Sequence, residues 1–166
     1  MTIYRALLVL CVMLLPTTLA RATSNYHYGP DEYVTVAKGI SPNGKYAITA
    51  HGEGEYGYDN FHIFLTDAVS GKKIGPLEEI VDTLDTGADA FAAKWSKDSQ
   101  QVDIIYRVDR HAPLKAVSYR ITNGRARRIE GPFDVRSDEL LTYWQKQSAE
   151  SKPTEKTFGT PIANPQ

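Results

Sequence analysis

Short segments of the chain alternate between apolar and polar residues, as strands do when one face is buried. In four of these segments the apolar face falls on every second residue: Tyr46, Ile48 and Ala50; Phe61, Ile63 and Leu65; Val102, Ile104 and Tyr106; and Val117, Tyr119 and Ile121. Turn-forming residues stand between the segments at Ser41–Gly44, Ser70–Gly71 and Asn123–Gly124. Asn-Gly is the strongest short signal for a hairpin. The pattern therefore predicts an all-β domain built from antiparallel hairpins.

A helical period follows the last predicted strand. Ser137 is a good N-cap residue, and acidic side chains in the first turn favour the helix dipole. Apolar side chains on one side of this segment are Leu140, Leu141 and Trp144. We expect a helix over about 138–149 that docks on the β-domain, which as a whole spans 23–150. Residues 151–166 contain three prolines and many polar residues, which is typical of a disordered tail.

Two stretches of the chain resemble each other at a spacing of about 55 residues. The stretch that begins at Ile40 matches the one that begins at Trp95, and the stretch from Asn60 matches the one from Lys115. A repeat of this length with about four strands per copy is typical of propeller blades. The first copy resembles the WD-repeat-like blades of periplasmic propellers of the Tol-Pal type. Its matching parts are Ile40–Lys45, Phe61–Leu65, Asp67 and Gly71–Lys72.

The resemblance implies two tandem four-stranded antiparallel blade-like sheets, at about 33–80 and 87–131. The second copy departs from the pattern, since Lys97 stands in place of Pro and Ser99 in place of Gly. Propellers usually close with about four to eight blades, and this chain has room for two. The expected fold class is therefore all-β with a C-terminal helix, arranged as an incomplete propeller or a small sandwich.

The first 22 residues have the features of a cleaved secretory signal peptide. Arg5 precedes the apolar stretch Ala6–Leu15, Pro16 follows it, and the small residues around Arg21 predict cleavage after Ala22. The apolar stretch is shorter than the roughly 20 residues of a membrane-spanning helix. We therefore expect a periplasmic or secreted protein with no stable membrane anchor after cleavage. Cys11 is the single cysteine and would leave with the signal, together with any disulfide or thiol chemistry.

Charge is distributed unevenly along the chain, although its net value is only −1. His51–Ala90 carries nine acidic residues and two lysines, whereas Phe91–Arg128 carries nine basic and three acidic residues. This balance indicates no nucleic-acid partner. Two solvated faces of one domain account for the two regions. The alternative is an electrostatic contact, either between copies in a homo-oligomer or with an anionic component of the cell envelope.

One short stretch suggests an enzyme. Asp85-Thr86-Gly87, followed by Ala-Asp, resembles the catalytic signature of retroviral-type aspartic proteases. In that interpretation Asp85 shares a proton with its counterpart in a homodimer, and Thr86 and Gly87 brace the loop. Such proteases also carry a hydrophobic-hydrophobic-Gly segment, and the best candidate here, Ile121–Arg125, has Asn123 at an apolar position. Asp82–Gly87 is therefore interpreted as the link between the two units, with the protease kept as the alternative.

The stretch from His51 to His62 is the predicted contact surface of the protein. Its candidate binding residues are His51, Glu53, Glu55, Tyr56, Tyr58, Asp59 and His62. Imidazoles and carboxylates can hold zinc, but their spacing here matches no metal motif, so we predict neither metal nor cofactor. Tyr56 and Tyr58 are the favoured contact residues, because tyrosine buries a large area at low entropic cost. The leading hypothesis is a non-enzymatic binding or protein-interaction module whose partner is a protein or cell-envelope component.

Overall fold

A computed structural model of the chain describes residues 25–150 and 156–161. Strands make up most of the regular structure of these residues, with one α-helix. The strands are β1 (Tyr33–Ile40), β2 (Tyr46–Glu53), β3 (Asp59–Asp67), β4 (Lys73–Pro76), β5 (Ala92–Trp95), β6 (Gln101–Tyr106), β7 (Lys115–Thr122), β8 (Arg125–Asp134) and β9 (Thr157–Phe158). Helix α1 spans Asp138–Glu150, and short 3₁₀ turns lie at Glu55–Gly57 and Ala88–Ala90. The predicted all-β fold with a C-terminal helix is confirmed.

Eight strands form one curled sheet in the order β4-β3-β2-β1-β5-β6-β7-β8. Strands β1–β4, called unit 1 below, form one antiparallel meander, and strands β5–β8, called unit 2, form another. The units meet where β1 runs parallel to β5, with Ala37 opposite Ala92. Blades of a propeller are separate sheets, and the sheets of a sandwich pack face to face. Here the two predicted four-stranded units instead join edge to edge.

The concave face of the curled sheet holds the main hydrophobic core. All four apolar faces predicted from the alternation contribute to it, and Ile48, Ile63, Ile104 and Val117 are fully buried there. The connection from β4 to β5 also crosses this face, because its apolar side chains Leu77, Ile80, Ala88 and Phe91 pack into the same core. A sheet curled by its twist leaves its concave side open at both ends. The connection helps to fill that space and joins the interiors of both units.

Two C-terminal segments cover parts of the convex face. On unit 2, Ile105 and Ala116 pack against Leu140, Leu141 and Trp144 of α1, which confirms the predicted docking of the helix. On unit 1, Ala47 and Ala68 pack against Phe158 of β9. Strand β9 pairs antiparallel with the start of β1. The helix and β9 thus each cover the outer side of one unit.

The segment predicted to be a disordered tail therefore requires correction where the structure describes it. Residues 156–161 are ordered against unit 1 because the apolar ring of Phe158 is buried and the Lys156 carbonyl accepts a hydrogen bond from Thr35 N at 3.0 Å. Residues 151–155 and 162–166 lie outside the described residues. The predicted signal peptide, 1–22, lies outside them as well. Within the described part of the chain, no helix has the length and apolarity needed to cross a membrane.

Candidate functional site

The β2–β3 hairpin and the connection between the units lie against each other at one end of the curled sheet. Thr86 Oγ1 donates a hydrogen bond to the Tyr56 carbonyl at 2.6 Å. The Tyr28 hydroxyl donates to the Thr86 carbonyl, and Leu84 N donates to the Arg107 carbonyl at 2.8 Å. The two stretches that the sequence singled out, the His51–His62 hairpin and the Asp-Thr-Gly stretch, thus build one structure.

A pocket of about 220 Å³ opens between these two segments. We call it the mouth pocket, and its lining residues are Tyr58, Phe61, Ile80, Val81, Asp82, Thr83 and Thr86. Ile80 is fully buried, whereas Tyr58 and Val81 are 52% and 53% exposed. The pocket therefore combines an apolar interior with a rim of accessible aromatic, aliphatic and acidic side chains.

Of the seven predicted binding residues, Tyr58 is the one that lines this pocket. Tyr56 is 48% exposed on the same hairpin and contributes its carbonyl to the bond with Thr86. Glu55 and Asp59 are exposed beside it. Glu53 is exposed too, and it accepts a hydrogen bond from Asn60 Nδ2 at 2.9 Å. Both tyrosines favoured from the sequence thus lie at the mouth of the curled sheet.

The two histidines of the hairpin lie away from the mouth pocket. His51 is only 6% exposed, with Nδ1 2.6 Å from the Glu32 carbonyl oxygen and its ring stacked on Tyr33 at 4.6 Å. His62 pairs with His51 across β2 and β3, and its Nδ1 is buried without a hydrogen-bond partner. Residues 25–150 and 156–161 include no group of three or more metal-ligating side chains that would hold a metal ion. The His51 ring, which the sequence suggested for binding, is therefore in contact with Glu32 and Tyr33 inside the protein.

Asp85, Thr86 and Gly87 form part of the connection between the units. Asp85 is 6% exposed and Thr86 is fully buried. Thr86 uses both its hydroxyl and its carbonyl to hold neighbouring segments, and Gly87 has ordinary extended dihedral angles. A catalytic aspartate of a protease must meet both a substrate and its counterpart carboxylate. Asp85 is buried within the connection in this single chain, and its use as a catalytic aspartate stays a prediction.

The segment before β1 contributes residues that sequence reasoning missed. Glu32 is fully buried, and it accepts hydrogen bonds from the Tyr26 hydroxyl at 2.8 Å and from Gly29 N at 2.9 Å. Burial, together with the neighbouring Glu32, raises the pKa of Tyr26 to about 12. The ring of Tyr28 packs edge-on against His51. The signal for this role was the run of aromatic residues just ahead of the first strand.

Acidic side chains lie in and beside the mouth pocket. Its lining residues include the carboxylate of Asp82 and no lysine or arginine, and Glu55 and Asp59 are exposed on the hairpin that forms one side. Burial and the charge of Asp82 raise the pKa of Tyr106 to about 12. Glu79 accepts a hydrogen bond from the Tyr119 hydroxyl at 2.8 Å and lies 3.7 Å from Nε of Arg128. Arg128 of β8 therefore pairs with Glu79, which does not line the pocket.

Two further pockets lie elsewhere on the described surface. One of about 280 Å³ separates α1 from β1 and β5, lined by Lys38, Ile40, Pro42, Ala93, Trp95, Tyr143 and Gln147. The other, of about 380 Å³, lies between the outer strands β4 and β8, lined by Leu65, Ile74, Gly75, Pro76, Arg125 and Ala126. Both are bordered mainly by regular elements. The mouth pocket differs because two loops build it, and loops held on a rigid sheet commonly carry recognition.

No protein-family model, curated protein or solved structure matched this chain. The side chains of the mouth pocket are therefore the basis for assigning its chemistry.

Proposed function

We propose that this protein is an exported, non-enzymatic binding or protein-interaction module, and that the mouth pocket is its contact surface. The observation that carries the proposal is the grouping of Tyr56, Tyr58 and Val81, each about half exposed, on the two segments that form one pocket. Contiguous exposed apolar surface with a polar rim is typical of interaction sites. Tyrosine is also enriched in protein interfaces.

The anchoring of the pocket supports this proposal. Thr86 fastens the connection to the hairpin at Tyr56, and the Tyr58 hydroxyl donates a hydrogen bond to Asn25 Oδ1 at 3.1 Å. The aromatic ring of Phe61 packs against Phe91 of the core, with centroids 5.7 Å apart. A surface whose groups are already ordered loses less conformational entropy when a partner binds.

The predicted signal peptide at the N-terminus indicates the compartment in which a partner would be met. This signal peptide supports a periplasmic or secreted protein. The partner is accordingly a protein or a component of the cell envelope. The aspartic-protease alternative is not part of this proposal, because Asp85 is buried within the connection.

Site-specific photo-crosslinking in cells that export the chain tests this function. A photoreactive phenylalanine analogue replaces Tyr58 in one variant, Val81 in a second and Val69 in a control. Val69 is 82% exposed in the turn after β3, outside the residues that line the mouth pocket. We expect one discrete adduct from positions 58 and 81, and none from position 69.

A second readout links the adduct to the pocket itself. The adduct at position 81 should be lost when Tyr58 is also changed to alanine, since both side chains line the same cavity. Equal labelling at all three positions, or no adduct at 58 and 81, would overturn the proposed contact surface.

A further inference from the structure

We infer that the mouth pocket binds an arginine side chain presented by a partner protein. This inference rests on the proposed function and names the chemistry of the group that the pocket takes. It is argued from the size of the cavity, from its walls, and from the charge of the two segments that form it.

The size of the mouth pocket favours a single side chain over a metabolite. Pockets that enclose small-molecule ligands usually have volumes of about 300–1,000 Å³, and this one measures about 220 Å³. Its rim residues Tyr58 and Val81 are half exposed. A side chain that enters from a partner surface would fill the cavity and bury this rim at the same time.

The walls of the pocket suit a guanidinium group. Tyr58 and Phe61 supply aromatic rings, and Ile80 supplies an apolar floor for the methylene groups of the entering chain. Arginine stacks on aromatic faces more readily than lysine does, because its guanidinium is planar and weakly hydrated. Asp82 supplies an exposed carboxylate at the same cavity. A carboxylate can accept two parallel hydrogen bonds from one guanidinium.

The surrounding charge points in the same direction. The lining of the pocket includes the carboxylate of Asp82 and no lysine or arginine, and the exposed carboxylates of Glu55 and Asp59 lie on the hairpin that forms one side. Their field attracts a cation and repels an acidic or phosphorylated segment. An aromatic cavity with a carboxylate at its rim, set in a negative surface, is complementary to arginine in shape and in charge.

The decisive experiment compares a cationic peptide with a neutral peptide of nearly the same shape. Ac-Gly-Gly-Arg-Gly-Gly-amide and its citrulline counterpart have nearly the same shape, but citrulline is neutral. Each is titrated into the ¹⁵N-labelled protein at low salt while the backbone resonances of residues 80–86 are followed. We expect the arginine peptide to bind about threefold to tenfold tighter, the range of one exposed cation–π contact combined with one ion pair.

Two charge-matched variants locate the effect. Asp82 has a positive φ of 52°, a conformation that asparagine also adopts readily, so Asp82→Asn should retain the fold. It should reduce the preference for arginine over citrulline to about twofold or less, since one ion pair is lost. Glu78→Gln removes the same charge from an exposed neighbour that does not line the pocket. The preference for arginine should remain in that variant.

The outcomes separate this inference from the proposed function. Equal binding of both peptides, or binding of neither, overturns the arginine assignment, while the crosslinking result decides independently whether the pocket is a contact surface. If spermidine or free arginine amide binds as tightly as the peptide, the ligand is a small cation, and the inference of a partner protein is overturned. A further outcome, in sedimentation, is a dimer that dissociates at high salt and is absent in Arg127→Gln, a change at an exposed residue of β8. The partner would then be a second copy of this chain, which would overturn the inference of a different partner protein.

Discussion

The loop that follows β1 in unit 1 and the loop that follows β5 in unit 2 have the same hydrogen bonds in different sequences. In the first, Ser41 Oγ accepts from Tyr46 N at 3.0 Å and donates to Asn43 Oδ1 at 2.8 Å. In the second, Ser96 Oγ accepts from Gln101 N at 2.9 Å and donates to the carboxylate of Asp98 at 2.6 Å. The serine and the Asn or Asp two residues later set this loop, so the remaining positions tolerate change.

The strands that follow these loops differ in the face that they turn to the core. Ala47, six residues after Ser41, lies on the convex side, whereas Val102, six residues after Ser96, lies in the concave core. The parallel arrangement of β1 and β5 explains the difference, because the two meanders extend from this pair in opposite directions. Superposing one unit on the other requires a half-turn about the strand axis, which exchanges the faces of the sheet. The same serine-based loop therefore precedes two strands whose core-facing residues are offset by one position.

The outer layers of the two units also differ. The convex side of unit 1 is mixed: the fully buried Thr49 and Thr66 have hydroxyl oxygens 2.8 Å apart, and Ala47 and Ala68 pack against Phe158 of β9. The convex side of unit 2 carries Ile105 and Ala116 beneath helix α1. A narrow strand can cover the small apolar patch of Ala47 and Ala68. An apolar layer gains more from the wider apolar side of a helix.

Alkaline pH should have the largest effect, which is loss of the fold. Burial raises the pKa of Tyr26, beside the hairpin of unit 1, and of Tyr106, on β6 of unit 2, to about 12. It also raises the pKa of Tyr28 and Tyr119 above the usual value of about 10. A tyrosine whose pKa is higher in the folded than in the unfolded protein stabilises the fold. This contribution is complete below the unfolded pKa and is lost as the pH rises through the folded pKa. Unfolding is therefore expected between about pH 10 and 12.

Tyrosinate absorbance at 295 nm and far-ultraviolet circular dichroism measure this transition together. The part of the absorbance change that comes from buried tyrosines should coincide with the loss of the dichroism signal, because these groups ionise as the sheet opens. Tyr106→Phe removes one ionisable group from unit 2 and should move the midpoint to higher pH. Titration of every tyrosine near pH 10 with the sheet intact would contradict the prediction.

The next largest effect should follow from Phe91→Ala, where the two units meet. The Phe91 ring is fully buried, 5.7 Å from Phe61 of unit 1 and 6.3 Å from Tyr106 of unit 2. Removing it should lower the free energy of unfolding by about 3–5 kcal/mol, from lost burial and a cavity. Urea unfolding followed by circular dichroism and tryptophan fluorescence should still show one transition. Two separate transitions would mean that the units are independent, and the exposed Val69→Ala control should change stability by less than about 0.5 kcal/mol.

The smallest effect comes from a matched pair of glycines in the turns before β4 and β8. Gly71 and Gly124 have φ of 74° and 71°, so alanine should cost each about 1–2 kcal/mol. A Cβ at Gly71 would lie 2.8 Å from Phe158 Cδ1, whereas at Gly124 it would be 4.0 Å from the Tyr46 hydroxyl. Gly71→Ala should therefore lower stability by about 1 kcal/mol more, because it also overpacks β9. Thermal or urea unfolding of both variants measures the difference, and equal costs would show that β9 does not cover this turn.

Local patterns predicted the parts of this molecule that depend on neighbouring residues. The alternation around Ile48 and Ile104 identified core faces correctly, and the Asn123-Gly124 turn has the positive φ values of a two-residue hairpin. The hairpin from His51 to His62 was recognised as a candidate site, and its tyrosines are indeed exposed. His51 was also predicted as a binding residue. Its ring is covered by segments distant in the chain, and its role in binding stays a prediction.

The sequence by itself determined the strands, the helix after Ser137 and the turn residues, since each depends on contacts within a few residues. It also determined the acidic composition of the two segments around the mouth pocket. Only the tertiary structure decided that β1 pairs with β5, that β9 returns to unit 1, and that Asp82 joins Tyr58 at one cavity. These contacts join residues distant in the chain, and their energies depend on which surfaces remain to be buried after the local elements have formed.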